Sequence, residues 1–342
     1  MKEMTVADLA GRENQVVTGF FVAAAKQVRI KKDGSRYYAL TLSDATGQIE
    51  ARVWDADDAE EFDSGDVVKV RGQVCRYNEK LQVNVDRIRR AAEDEYALGD
   101  FVPQTERDIE EMWSELEGWV ASFSDPDLKA LLQAFLDDPE IAKDLREAPA
   151  AKVLHHAWIG GLLEHVLSLM GLCDLATRHY TNVNRDLLLT GVLLHDIGKL
   201  RELKWGTSFD YTLEGQLLGH ITIGLGMIEE KIAEIPNFPR TKRMLVEHLV
   251  LSHHGKQEFG SPKLPMIPEA ILLHYLDDLD AKMQTLRSEF AKHEASGKSA
   301  TEMTEWVRSM DRPLLNTGAF LASQPAGERE SDEDQNALPA EN

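Results

Sequence analysis

Only two cysteines, Cys75 and Cys173, occur in 342 residues. They fall in segments of unrelated character, which excludes a disulfide framework and leaves both thiols as buried apolar residues. The opening stretch MKEMTVADLAGRENQ has no apolar core segment, so no leader peptide is expected. With so few cysteines, that predicts a reducing cytoplasm. Long apolar runs are missing as well. Charges interrupt each one before about 18 residues, which excludes a transmembrane helix and a membrane partner. Positive charge is scarce: the formal net charge is −21, which at first sight argues against a polyanionic ligand. There is no internal repeat.

What is present is uneven. Residues 15–90 hold 13 Lys and Arg against 12 Asp and Glu, a net of +1, which leaves −22 for the remainder. The N-terminal part is therefore the one region whose potential tolerates a polyanion. A hydrophobic fraction of 43% over this length is enough for two cores.

Residues 15–90 alternate apolar and polar side chains in SRYYALTLSD, GQIEARVWD, DVVKVRGQVCRYN and KLQVNVDRI. Turn chemistry separates them at Asp33-Gly34, Thr46-Gly47, Ser64-Gly65 and Asn78-Glu79. About five short strands in so small a span predict an all-β OB-fold barrel. A helix-like stretch at 56–62 falls between the third and fourth strands, where an OB barrel carries its helix. The period then lapses around EYALGDFVPQ. Beyond it, apolar residues recur at three- and four-residue steps. Helices are expected at 108–123, 126–135, 156–180, 185–195, 214–235, 239–253, 267–295 and 301–310, with Asp125-Pro126 a helix start. The reading is a nucleic-acid-binding barrel over 12–93, a linker over 94–105, an all-α domain over 106–320 and an acidic, disordered tail over 321–342.

The α-helical part sets out candidate metal ligands in order: His165, His195-Asp196, His220, His253-His254 and Asp277. Imidazole and carboxylate are what a divalent cation takes from a protein. His165 lies beside the apolar stripe of GGLLEHVLSLMGLCDLA; taken alone it is more simply a satisfied core histidine. Neighbours on a helix diverge by about 100°, so His195 and Asp196 can serve one ion only where the helix ends, and Ile197-Gly198 supplies that ending. The alternative is that the pair only caps the helix. His253-His254 also ends an apolar helix before a glycine. Asp277 sits at the margin of a buried face, with Asp278 and Asp280 as rivals for its role.

This order resembles the HD-domain superfamily of metal-dependent phosphohydrolases. With an OB-like barrel ahead of it, the chain is similar to the YhaM-type 3'→5' exoribonucleases. The strings that carry the likeness are APAAKVLHHAWIGGLLEHVLSL, NRDLLLTGVLLHDIGKLREL, YTLEGQLLGHI, LSHHG and LHYLDDLDAKM. The acidic Asp278 after Asp277 departs from the family pattern. The resemblance implies a first cation on His165, His195, Asp196 and Asp277, and a second on His220, His253 and His254 with Asp196 bridging. It also implies Mn²⁺, one ion or two; the donor set suits Fe²⁺ or Co²⁺ also, and Mg²⁺ less well. Two such cations can neutralise a phosphodiester and stabilise the leaving oxygen of an in-line attack. Asp196, Lys199 and His156 are the catalytic candidates: Lys199 to meet the scissile phosphate, His155-His156 to bind phosphate or protonate the leaving group. The plain alternative for Lys199 is an exposed lysine. His248 and His274 are expected to support ligands, and Ser261-Pro262-Lys263 to close over the nucleotide.

Single strands are gripped by phosphate charge and by stacking on aromatics. The β part offers Lys31, Lys32 and Arg36 beside Tyr37, then Arg52 with Trp54, and Arg76 with Tyr77. The expected function is a metal-dependent 3'→5' exoribonuclease releasing 5'-mononucleotides from single-stranded RNA, with single-stranded DNA as a further substrate. The polarity and any homo-oligomer come from the resemblance alone. Two rival readings are a phosphohydrolase of nucleotides or cyclic nucleotides, and a nucleic-acid-binding regulator with a structural metal.

Overall fold

The computed structural model describes residues 4–55, 61–152 and 158–323. Alternating side chains build its first body. Strands β1 (Val16–Ile30), β2 (Arg36–Asp44), β3 (Gly47–Val53), β4 (Val67–Tyr77) and β5 (Lys80–Arg90) close into a barrel in the order β1-β2-β3-β5-β4. Every pairing is antiparallel except that of β3 with β5. β1 serves two neighbours, β4 with its first half and β2 with its second, and its register shifts between Ala23 and Ala25. That irregularity lets one strand turn the corner a closed barrel requires. Inward positions such as Phe21, Leu40, Leu42 and Val70 are at most 2% exposed. The β4–β5 turn at Asn78-Glu79 has positive φ at both residues, 47° and 63°, the hairpin geometry that matches strand twist. Most of the helix-like stretch at 56–62 lies outside the described residues; Phe62 is buried in the barrel core.

Residues 94–105, read as a linker for want of a period, are folded onto the barrel. A 3-10 turn at Glu93–Glu95 leads into them, and a second lies at Leu98–Asp100. Phe101 packs with Val22, Val67 and Ala91, and Tyr96 meets its ring edge-on at 5.5 Å.

The helical body follows: α1 (Ile109–Ala121), α2 (Pro126–Leu136), α3 (Pro139–Glu147), α4 (Gly161–His179) and α5 (Arg185–Leu194). Asp108, Asp125 and Asp138 each cap a helix by accepting two backbone N–H groups. The helix α3 was not expected, although Asp138-Pro139 repeats the start signal of Asp125-Pro126. Nine residues show too few turns for a period to register. α5 is buried along Asp186–Leu194, so it is the central helix, and it carries His195-Asp196 into the interior. A turn leads to the short α6 (Lys199–Glu202) and a hairpin of β6 (Leu203–Lys204) and β7 (Asp210–Tyr211), too brief to leave an alternating signature. Then come α7 (Leu213–Glu234), interrupted at Gly219, α8 (Arg240–Ser252) and α9 (Pro268–Ala295). Among the described residues no helix is long and apolar enough to cross a membrane.

The chain divides after Asp280 into two compact units. In the second, the helix expected at 301–310 does not form. Thr304 N–H donates to the Leu314 carbonyl at 2.8 Å, Leu314 N–H donates to Thr304 Oγ1 at 3.0 Å, and Val307 pairs with Arg312. A threonine hydroxyl competing for backbone groups wins over a short helical pattern. A helix, α10 (Thr317–Ser323), follows instead; the tail from 324 lies outside the described residues.

The turn after Asp196 depends on Gly198. A Cβ there would overlap the His220 carbonyl oxygen and lie 2.6 Å from the Gly224 nitrogen. Gly198→Ala should therefore lower unfolding stability by about 1–3 kcal/mol in urea melts. An unchanged midpoint would show that α6 and α7 can part there without cost.

Candidate metal centre

Five separate places in the chain deliver the expected ligands. His165 projects from α4, and His195 caps α5 with Asp196 next in the turn. His220 follows the break in α7 at Gly219, where φ is 72°. His253 and His254 follow α8, and Asp277 lies on α9. Their donor atoms gather in two groups. Atoms of His165, His195 and Asp277 lie within 4.8 Å of one another, and so do atoms of His220, His253 and His254. Asp196 sits between them. Its Oδ2 is 3.3 Å from His195 Nε2, and its Oδ1 is 3.5 Å from His220 Nε2 and 3.9 Å from His253 Nε2.

The rings are oriented through their other nitrogens. Nδ1 donates to the carbonyl of Val192 from His195 at 2.8 Å, of Val250 from His253 at 2.7 Å, and of Phe259 from His254 at 2.9 Å. His165 Nδ1 meets Asp280 Oδ2 at 2.9 Å, and His220 Nδ1 meets Glu202 Oε1 at 3.3 Å. A proton held at Nδ1 leaves a lone pair at Nε2. The Nε2 atoms of His195, His220 and His253 are buried with no hydrogen-bond partner among the described residues. Buried nitrogens left this way are costly unless something accepts their lone pairs. Converging beside two carboxylates, they fit a divalent cation.

Supporting side chains were only partly visible in the sequence. Asp280, a rival for the ligand role, also accepts from Ser168 Oγ at 2.5 Å, so it orients His165 while Asp277 reaches the donor group. Glu202 Oε1 takes the His220 backbone N–H at 2.9 Å. No local signal marks Glu202, because its partner is 18 residues away. His274 Nδ1 meets the His253 carbonyl at 2.9 Å, and His248 Nε2 accepts from Met266 N–H at 3.0 Å. Ser261, expected in a closing loop, is buried and bonded to the Leu251 carbonyl at 3.1 Å, which ties that loop to α8.

The charges are balanced within the site. Burial opposes ionisation of Asp196, but Lys199 and His195 hold its pKa well below the usual carboxylate range. Lys199 Nζ is 2.6 Å from Asp196 Oδ2 and is largely buried, unlike the solvated lysine of the plain reading. Burial also opposes the charge on Asp277, yet His165 and His195 lower its pKa. Burial drives His253 well below its ordinary pKa and lowers that of His254. For His165 burial again opposes protonation, but hydrogen bonds to Asp277 and Asp280 push its pKa up to about 9. His156 lies outside the described residues.

On the barrel, Tyr37 and Trp54 stack with centroids 5.1 Å apart, and Trp54, 46% exposed, donates to Asn84 Oδ1 at 3.3 Å. Arg52 is on the same strand face, paired with Glu50 at 2.6 Å. Lys31, Lys32 and Arg36 belong to the adjoining β1–β2 hairpin, with Lys31 3.5 Å from Asp55. Arg76 and Tyr77 are not part of this group. They sit at the β4–β5 turn, beside the start of β3, roughly 20 Å along the strands from Trp54.

Residues 162–282 match the HD domain family, and residues 22–91 match an OB-fold nucleic acid binding domain family. The helical body with its convergent ligands and the barrel ahead of it thus define an HD-domain protein, a class that depends on a divalent metal. The "3'-5' exoribonuclease YhaM" of Geobacillus sp. (strain WCH70) is 39% identical over 75% of this chain and 79% of its own length. The protein of the same name from Bacillus velezensis is 37% identical over 78% of this chain and 85% of its own. The chain belongs to the YhaM family. A solved structure of the second OB-fold domain of replication protein A from Methanococcus maripaludis aligns with 24% of this chain and 88% of its own at 30% identity, with a TM-score of 0.20.

Removing an orienting carboxylate should cost metal affinity. Asp280→Ala is expected to weaken Mn²⁺ binding about 10–100-fold by calorimetry; unaltered affinity would deny Asp280 this role. A cation bound at His165 Nε2 would also displace a proton. Apparent Mn²⁺ affinity should therefore rise about tenfold per pH unit between pH 7 and about 9. The metal-free fold has the opposite dependence. The stabilisation from protonated His165 is complete below pH 6.5 and is lost as pH rises through about 9. A flat affinity profile would contradict the assignment.

Proposed function

We propose that this chain is a metal-dependent 3'→5' exoribonuclease that degrades single-stranded RNA, and single-stranded DNA as well, to 5'-mononucleotides. The observation that carries the reading is the pair of donor groups facing one buried carboxylate, Asp196. The relatives' names, which specify a 3'-5' exoribonuclease, support RNA as the substrate.

In this reading His165, His195, Asp196 and Asp277 hold one cation and His220, His253 and His254 a second, with Asp196 shared. Mn²⁺ is the favoured ion, with Fe²⁺ or Co²⁺ compatible and Mg²⁺ less so. Bound there, divalent cations lower the pKa of water and neutralise charge on a phosphodiester. The chain's own groups do the rest. The Nδ1 anchors keep the imidazoles aimed, which spares reorganisation as charge develops. Lys199 holds its ammonium against Asp196 at the same centre, where it can also meet a phosphate oxygen of the substrate. His156 is assigned to protonate the leaving oxygen. The barrel holds the strand through the Tyr37–Trp54 stack, Arg52, Lys31, Lys32 and Arg36, with Arg76 and Tyr77 as a separate contact. Self-association and a cytoplasmic setting belong to the same reading.

A 5'-labelled RNA with Mn²⁺ should give a ladder shortening from the 3' end, and His195→Ala and Asp196→Ala should each lower the rate at least 10²-fold. Full activity in both variants would remove the centre from catalysis. Hydrolysis of mononucleotides with RNA left intact would favour a nucleotide phosphohydrolase.

A further inference from the structure

The outer face of β4 and β5 carries a basic cluster that takes no part in the surface around Trp54. Arg71 and Arg87 are register partners across the two strands, and Lys69 and Arg89 are partners two residues along. Thr18 of β1 is the partner of Arg71 on its other side. All five line one open cavity of about 600 Å³, together with Asp55 and Asp86.

Like charges placed opposite each other in a sheet are destabilising. The Lys69–Arg89 row shares one carboxylate, which halves its charge. Arg89 donates to both oxygens of Glu95 at 2.6 and 2.7 Å, and Lys69 lies 3.7 Å from the same carboxylate. The Arg71–Arg87 row shares none: neither guanidinium has an ion pair among the described residues, in a chain of net charge −21. A β-bulge creates this arrangement. The β4–β5 register slips between Arg71 and Gly72, so Asp86 and Arg87 point outward in succession. Gly72 makes the close approach workable, since a Cβ there would overlap the Asn84 carbonyl oxygen and lie 2.9 Å from Val85 Cα. Two forked donors side by side, with a hydroxyl next to them, match the oxygens of a phosphodiester.

We propose that Arg71 and Arg87, flanked by Thr18 and Lys69, form a phosphate-binding groove for the backbone of a single-stranded RNA. Its position gives the strand a course. At one end the cavity reaches Asp55, the residue after the stacked Trp54. At the other, β4 runs back to Gly65, whose carbonyl accepts from Thr207 Oγ1 of the helical body at 2.6 Å. Arg71 is six residues from Gly65, roughly 20 Å of extended chain. A strand leaving the stack along this face is therefore led toward the domain that holds the metal ligands. That purpose rests on the exoribonuclease reading; the binding itself does not.

The test uses the full chain in EDTA, so that binding is measured without hydrolysis. Anisotropy of a fluorescein-labelled oligo(A) RNA is read across a series of salt concentrations. Arg71→Gln/Arg87→Gln should reduce the slope of log affinity against log salt by about 1.4, two phosphates at about 0.7 each. Arg71→Lys/Arg87→Lys should keep the parental slope. The glutamine pair should melt no lower than the parent, because it removes a cross-strand repulsion. An unchanged slope in the glutamine variant, or an equal fall in the lysine variant, overturns the proposal. If the parent binds with the expected slope yet degrades no RNA when Mn²⁺ is added, the exoribonuclease reading fails and the groove stands.

Discussion

The orientation of five imidazoles is the constraint on which the rest of the helical body depends. An imidazole offers a lone pair at one nitrogen only if the other keeps its proton, and each ring here has its Nδ1 against a carbonyl or a carboxylate. Two of those carbonyls, Val192 and Val250, lie near the ends of the helices that lead into the rings. A helix end is where carbonyls lack intrahelical donors. The termini of α5 and α8 thus satisfy two needs at once, closing their own hydrogen bonding and fixing the tautomer of the ligand that follows. The glycines after these termini, Gly198 and Gly255, allow close approaches in which a Cβ would overlap the His220 carbonyl oxygen and the His274 ring.

A buried carboxylate among histidines is stable only because every charge has an answer. Asp196 is matched by Lys199, and His165 lies between Asp277 and Asp280. The burial cost of each is large, so the set stands or falls together. A divalent cation held there would replace the proton of His165, which would couple metal uptake to pH. The same logic, at lower stakes, operates on the barrel. Glu95 offsets one of the two charges of Lys69 and Arg89, while Arg71 and Arg87 keep both of theirs for a ligand.

The acidic surface and the near-neutral barrel divide the work. A chain of net charge −21 repels a polyanion over most of its surface and admits it where residues 15–90 bring the local sum to +1. Attachment of the barrel through Phe101 and through Gly65 and Thr207 makes that neutral patch part of the same unit as the ligands. Residues 94–105 lacked a period because they pack onto the barrel through two aromatics, Tyr96 and Phe101, in place of a repeating face.

The sequence by itself determined the barrel, most of the helices and the identity of the convergent residues. Period and turn chemistry are local, and His-Asp or His-His pairs before glycine can be read without knowing their partners. It also marked Asp125-Pro126 as a helix start, while the same signal at Asp138-Pro139 headed a helix too short to show a period. Only the tertiary structure decided which of Asp277, Asp278 and Asp280 reaches the centre. Those residues lie within one turn, and the choice depends on which side of α9 meets His165, 112 to 115 positions away. It likewise decided the roles of Glu202 and Ser168, the separation of Arg76 and Tyr77 from the stacked pair, and the bulge that turns Arg87 outward beside Arg71. Each of these follows from strand register or helix packing between distant segments, and no local pattern encodes a distance in space.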